Sequence, residues 1–228
     1  MPASLEPETL ASAMRLELGK PIVCTDGEVG KLADVVVDPL ERRVTHLVVQ
    51  PHGDLGPARL VPAGLASGEE HRISLRCTRA EVDGFATIRE SAYLRTGELP
   101  RDDPDWDIGV EDVLAMPYYT TPDIGVYPAL EEPFMMMYDR VPKGEAEIRR
   151  SSAVVSADEH HLGTVEALVV DGEEITHFVL ERGHMWGRRD VTIPIGVVAK
   201  VESDTVTLRI SKDDVGGLPT VRVHRWSL

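Results

Sequence analysis

Residues 26–85 and 159–218 of this 228-residue chain carry the same motifs in the same order, offset by 131 to 133 positions. Gly30 lies over Gly163 and Asp38 over Asp171. Thr45-His46 matches Thr176-His177, and Leu60-Val61-Pro62 matches Thr192-Ile193-Pro194. Ile73-Ser74-Leu75 matches Val206-Thr207-Leu208, and Glu81-Val82 matches Asp214-Val215. A repeat of about 70 residues divides the chain into two small units rather than one large domain. A unit of that size buries only about 60% of its unfolded surface. The halves are therefore expected to pack on each other, on the segment between them, or on a second chain.

Each half is a series of short apolar runs separated by turn residues, the pattern of a small antiparallel barrel or sandwich. Strands are predicted over residues 21–24, 29–37, 43–49, 59–61 and 72–77, and again over 153–156, 162–170, 175–180, 191–193 and 205–210. Asp26-Gly27 is a hairpin signal. Gly30 and Gly163 fall inside strand patterns, where a glycine marks a bulge or bend. After the last strand, Thr78-Arg79-Ala80-Glu81 and Ser211-Lys212-Asp213-Asp214 each set a hydroxyl three positions before a carboxylate. That is a capping-box pattern, so a short helical turn should close each repeat.

The residues Asp26, Gly27, Gly30, Val36, Val37, Asp38, Val61 and Pro62 together resemble the PRC-barrel family, and Gly163, Val170, Asp171, Ile193 and Pro194 repeat the pattern. The resemblance covers residues 18–85 and 150–218. It implies a barrel of about six strands, known from the cytoplasmic domain of the photosynthetic reaction centre H subunit and from a ribosome-maturation factor, where it serves as a protein-binding module. The expected fold is mainly β: two PRC-type barrels in tandem, each closed by a short helix and joined by an irregular strap. The expected layout is an N-terminal segment with a short helix (1–17), a first barrel (18–90), a connecting segment (91–147), and a second barrel with a C-terminal extension (148–228).

The formal charge of −15 is unevenly distributed: residues 91–147 hold 4 basic and 13 acidic side chains. Neither half carries the basic stripe that phosphate binding needs, so direct nucleic-acid binding is disfavoured while a basic protein partner fits. No stretch has the roughly 20 apolar residues of a membrane span, and the first residues lack a signal-peptide core. A cytoplasmic protein is expected. Cys24 and Cys77 read as small buried strand residues, with a disulfide or reactive thiol as the other reading.

Seven of the sixteen prolines and six of the eleven aromatic residues lie between Pro100 and Pro142. Such apolar content argues against a solvated linker. The expectation is an extended strap with a helical turn over residues 110–116, either packed on the barrels or exposed as a recognition strip.

No constellation for catalysis, cofactor or metal stands out. His160-His161 reads as a solvated turn, since adjacent side chains on a strand or turn point apart. The Thr-His pairs read as structural. The richest functional candidate is the loop around Arg182, His184, Trp186, Arg188 and Arg189, where the first half has only a Pro- and Gly-rich turn. Arg and Trp are typical interface anchors, and paired arginines also suit an anion; the alternative is that Trp186 caps the barrel while the arginines pair with the acidic segment. Tyr118, Tyr119 and Phe134 complete the candidate partner-binding set. The expected function is a non-catalytic binding or scaffold module that self-associates as a dimer. The alternative is a ribosome-assembly or RNA-associated factor acting through a basic protein.

Overall fold

The computed structural model describes residues 13–53, 56–69, 72–94, 103–116, 134–182, 189–218 and 220–221. The first half runs β2 (Pro21–Cys24), β3 (Gly27–Asp38), β4 (Arg43–Pro51), β5 (Arg59–Pro62), a 3-10 turn, β6 (Ala66–Glu69), β7 (Arg72–Leu75) and α1 (Arg79–Gly84). The second half repeats it as β12 (Ala153–Val155), β13 (His161–Asp171), β14 (Glu174–Arg182), β15 (Arg189–Pro194), a 3-10 turn, β16 (Val198–Glu202), β17 (Thr205–Leu208) and α2 (Lys212–Val215). The strand order is β6-β7-β2-β3-β4-β5 in one and β16-β17-β12-β13-β14-β15 in the other, with the β2–β7 and β12–β17 pairs both parallel. Each half is an open path rather than a closed ring: its end strands are linked by the 3-10 turn and, among the described residues, share no ladder.

Both glycines sit at irregularities, as the sequence suggested. The ladder slips between Ile22 and Val23 opposite Gly30, and between Val154 and Val155 opposite Gly163. A Cβ on either glycine would collide with the carbonyl oxygen of Gln50 or Glu181 across the next ladder. Both capping boxes form: Thr78 and Glu81 cap α1, and Ser211 and Asp214 cap α2. The helices set Val82 and Val215 into the core.

The halves complete each other by exchanging strands. β1 (Met14–Glu17) runs antiparallel to β13, with Met14 opposite Val170 and Leu16 opposite Leu168. β11 (Ala146–Ile148) does the reciprocal on β3, with Ala146 opposite Val37 and Ile148 opposite Val35. These are equivalent positions of the repeat, so the two halves are related as the subunits of a strand-exchanged dimer would be. Arg43 opposite Glu174 links β4 to β14, and one sheet of 15 strands results. A single apolar core runs through both halves, from Leu16 and Leu47 to Phe178 and Leu208. Two units that are each marginal in size thereby share one interior.

Of the segment 1–17, in which a short helix is expected, residues 1–12 lie outside the described residues, and Met14–Glu17 form strand β1, where Leu16 is buried against β13. One expectation needs correction. Residues 110–116 belong to strand β9 (Trp106–Met116), not to a helical turn. With β8 (Arg89–Leu94) and β10 (Phe134–Pro142), β9 makes a three-stranded antiparallel sheet in the order β8-β10-β9. The spacing of Val110, Val113 and Leu114 suits a helix, but long-range pairing to β10 overrides that local preference.

This small sheet covers the outer face of the first half. Val36, Val48 and Leu60 pack there against Ile88 and Val141, with Ala33, Ala58 and Trp106 at the margin. Arg140 lies over the Trp106 ring at 4.4 Å from its centre.

Candidate functional site

Arg182 and Arg189 face each other in register at the end of the β14–β15 hairpin. His184, Trp186 and Arg188, like Tyr118 and Tyr119, lie outside the described residues. Phe134 opens β10 opposite Leu94, on the separate three-stranded sheet.

The other candidates resolve into local structure. Thr45 and Thr176 each donate to a carbonyl on the neighbouring strand, Val36 at 3.1 Å and Val169 at 3.0 Å, and each hydroxyl contacts the following histidine's Nδ1 at 3.1 Å. Burial lowers the His177 pKa. His160 is exposed and pairs with Asp158 at 3.1 Å, while Asp158 also accepts from the Lys212 amide ahead of α2. Asp26 does the same for Arg79 ahead of α1. Cys24 and Cys77 are free and buried, and desolvation pushes the Cys24 thiol up to about 12, where it is unreactive. Among the described residues no group of three or more His, Cys, Asp or Glu side chains could hold a metal.

The densest polar construction lies where the small sheet meets the first half and the exchanged strand. Asp139 on β10 is 3% exposed and Glu147 on β11 is fully buried. Arg149, just beyond β11, donates from Nη2 to Asp139 Oδ2 and from Nε to Glu147 Oε1, the latter at 3.3 Å. Arg89 on β8 donates from Nε to Asp139 Oδ1 at 3.1 Å. The network continues into the second half, because the Arg149 amide donates to Ser152, whose hydroxyl donates to Asp204 at 3.0 Å. Buried charges persist only when paired in this way.

Beside this network is a cavity of about 330 Å³ lined by Ala33, Asp34, Val48, Gln50, Ala58 and Asp139, among others. Asp34 owes its place there to a β-bulge. The ladder to β4 slips between Leu32 and Asp34, so Ala33 and Asp34 both turn outward while Leu32 and Val35 both enter the main core. Re-aiming a side chain is what a bulge does. Among the described residues the Asp34 carboxyl has no hydrogen bond or ion pair. Desolvation raises its pKa to about 6, opposed chiefly by the charge of Arg149. Such a carboxyl can hold a cation or exchange a proton near neutrality.

The second half answers with different chemistry at the same place. Its bulge falls between Val165 and Ala167, and the acid there is Glu166. Arg150 grips both Glu166 oxygens from Nη2 at 3.0 Å and lies 4.0 Å from Glu181. Burial raises the Glu166 pKa, with Arg150 opposing and Glu181 adding to the rise.

Sequence reasoning missed Asp34, Arg89 and Asp139. The available signal was one carboxylate inside the apolar run from Leu32 to Val37.

Residues 150–215 match the PRC-barrel domain family. That span takes in β12 through α2, the second half of the repeat. A search of curated proteins returned no match for this chain. No helix among the described residues is long and apolar enough to cross a membrane.

Proposed function

We propose that this protein is a non-catalytic binding scaffold in which two PRC-type units in tandem form a rigid body and the three-stranded sheet receives a protein partner. The observation that carries the reading is the one-sided pairing of β8 and β9: among the described residues each pairs only with β10, which leaves each a backbone edge with no strand on it there. Open edges invite strand addition by another chain. Ile108 on β9 is 40% exposed, and β9 is the longer edge. A second copy of the chain is one such partner, which gives self-association a basis in the sheet edge rather than in the shared core. The hairpin end at Arg182 and Arg189 offers a second contact point. The acidic character of residues 91–147 favours a basic partner, and a ribosomal protein is the alternative of that kind.

Light scattering coupled to size-exclusion chromatography, at micromolar concentration, tests self-association. Dimers are expected, and a clean monomer removes that part of the reading. Affinity capture with mass spectrometry, comparing the natural chain with Ile108→Lys, tests the edge. A captured partner should be lost in the variant at unchanged melting temperature; equal capture by both moves the contact elsewhere.

A further inference from the structure

We infer that the cavity beside β3 is a binding site for a small organic cation: a primary ammonium held by Asp34, with an apolar body lying against Val48, Ile88 and Pro57. The charges of the neighbourhood point to the sign of the ligand. Three carboxylates, Asp34, Asp139 and Glu147, stand against two guanidiniums, Arg89 and Arg149. Both guanidiniums are bonded to Asp139, and Arg149 also to Glu147, whereas Asp34 has no partner among the described residues. Asp34, acted on by the charges of Arg149 and Arg89 but bonded to neither, is an acid, so the complement is a cation.

The lining sets the rest of the ligand. Apart from Asp34, Asp139, Arg89 and Gln50, the wall consists of Ala33, Val48, Gly56, Pro57, Ala58 and Ile88. The Gln50 amide is fixed by donating to the Gly56 carbonyl at 2.9 Å, which ties two residues of the lining together. A volume of about 330 Å³ sits at the small end of ligand pockets, fitting a molecule of one ring or a short chain. A strand position is a precise mount for the acid, since the bulge at Ala33-Asp34 is held in the β3–β4 ladder, with Leu32 opposite Val49 and Asp34 opposite Val48. Nothing in this site depends on whether a protein binds the sheet edge.

Phenethylammonium is a suitable probe, with the neutral 2-phenylethanol as its control, followed by amide chemical shifts of the full chain at pH 8. Saturable shifts confined to residues around Asp34, with the alcohol at least about tenfold weaker, are expected. Asp34→Asn should weaken the amine about tenfold or more, and Ala58→Leu should block both molecules by filling space while leaving the acid in place. Amine affinity should also fall as the pH drops through about 6, where Asp34 gains a proton; Arg149, Asp139, Arg89 and Asp204 are the charges that face it. Absence of saturable shifts at tens of millimolar amine (roughly the weak limit of specific binding), or equal binding by Asp34→Asn, overturns the inference.

Discussion

Arg149 and Arg150 are neighbours in the chain that serve opposite halves of the molecule. Arg149 locks Asp139 and Glu147 beneath the three-stranded sheet, beside the first half's bulge; Arg150 grips Glu166 at the second half's bulge, with its own side chain 54% exposed. The bulges are equivalent, yet one reads Ala33-Asp34 and the other Glu166-Ala167, so the acid has changed places. In the second half the acid has an arginine partner of its own. In the first, both nearby arginines are committed to other carboxylates and Asp34 faces a cavity. A duplicated framework thus fixes where an outward side chain can stand, and the added segment between the halves decides what that side chain meets.

Replacing the two arginines separately is the harshest way to break this comparison. Arg149→Ala takes the guanidinium from two buried carboxylates at once, Glu147 and Asp139, the latter keeping Arg89, and should cost about 4 kcal/mol. Arg150→Ala uncovers the buried Glu166 carboxylate to the solvent that Arg150 already shares, and about 1 kcal/mol is expected. Urea denaturation followed by circular dichroism gives both values. Equal losses would mean that the sheet does not seal the first site. Because one core spans both halves, each variant should unfold in a single transition; two separate transitions would show that the strand exchange does not couple them.

The next effect is smaller and depends on pH. Asp34 holds its proton more tightly in the folded state, with a pKa near 6, than in the unfolded chain. Its contribution therefore makes stability fall as pH rises through the interval from about 4 to about 6, and level off above it. Asp34→Asn removes that penalty. The variant should be more stable than the natural chain by about 2 kcal/mol at pH 8 and nearly equal to it at pH 4. Glu166 is raised in the same direction and is present in both proteins, so the difference between them isolates Asp34. A difference that does not change with pH would show Asp34 to be solvated like any surface acid.

What the sequence disclosed follows the same division. Features that recur in both halves were legible, because two independent occurrences at one offset exclude accident: the two long strands, the bulge glycines and the helix caps. The strand exchange was not, since β1 and β11 are four and three residues long and their apolar residues acquire a burial pattern only from a distant partner. The three-stranded sheet was hidden by helix-like spacing in β9 and by its proline-rich surroundings. Asp34 was hidden by parity: period two places it on the face of Leu32, inside the core, and only the bulge carries it outward. Arg89, Asp139 and Arg149 come from three elements whose meeting is a property of the fold alone.

The helix caps provide the mildest comparison, because there the halves should not differ. Thr78 and Ser211 each accept an amide hydrogen bond at 3.3 Å and each hydroxyl meets its partner acid, at 2.8 Å for Glu81 and 2.7 Å for Asp214. Thr78→Ala and Ser211→Ala should each lower stability by about 1 kcal/mol. Both helices bury one valine completely and both are preceded by an aspartate that caps from a distant turn, Asp26 or Asp158. With the local chemistry matched, any excess loss on one side reports how firmly that half's open end depends on its helix. α1 has six residues to α2's four, so a larger loss at Ser211 would place the weaker closure in the second half, and equal losses would extend the equivalence of the halves to the ends of their strand paths.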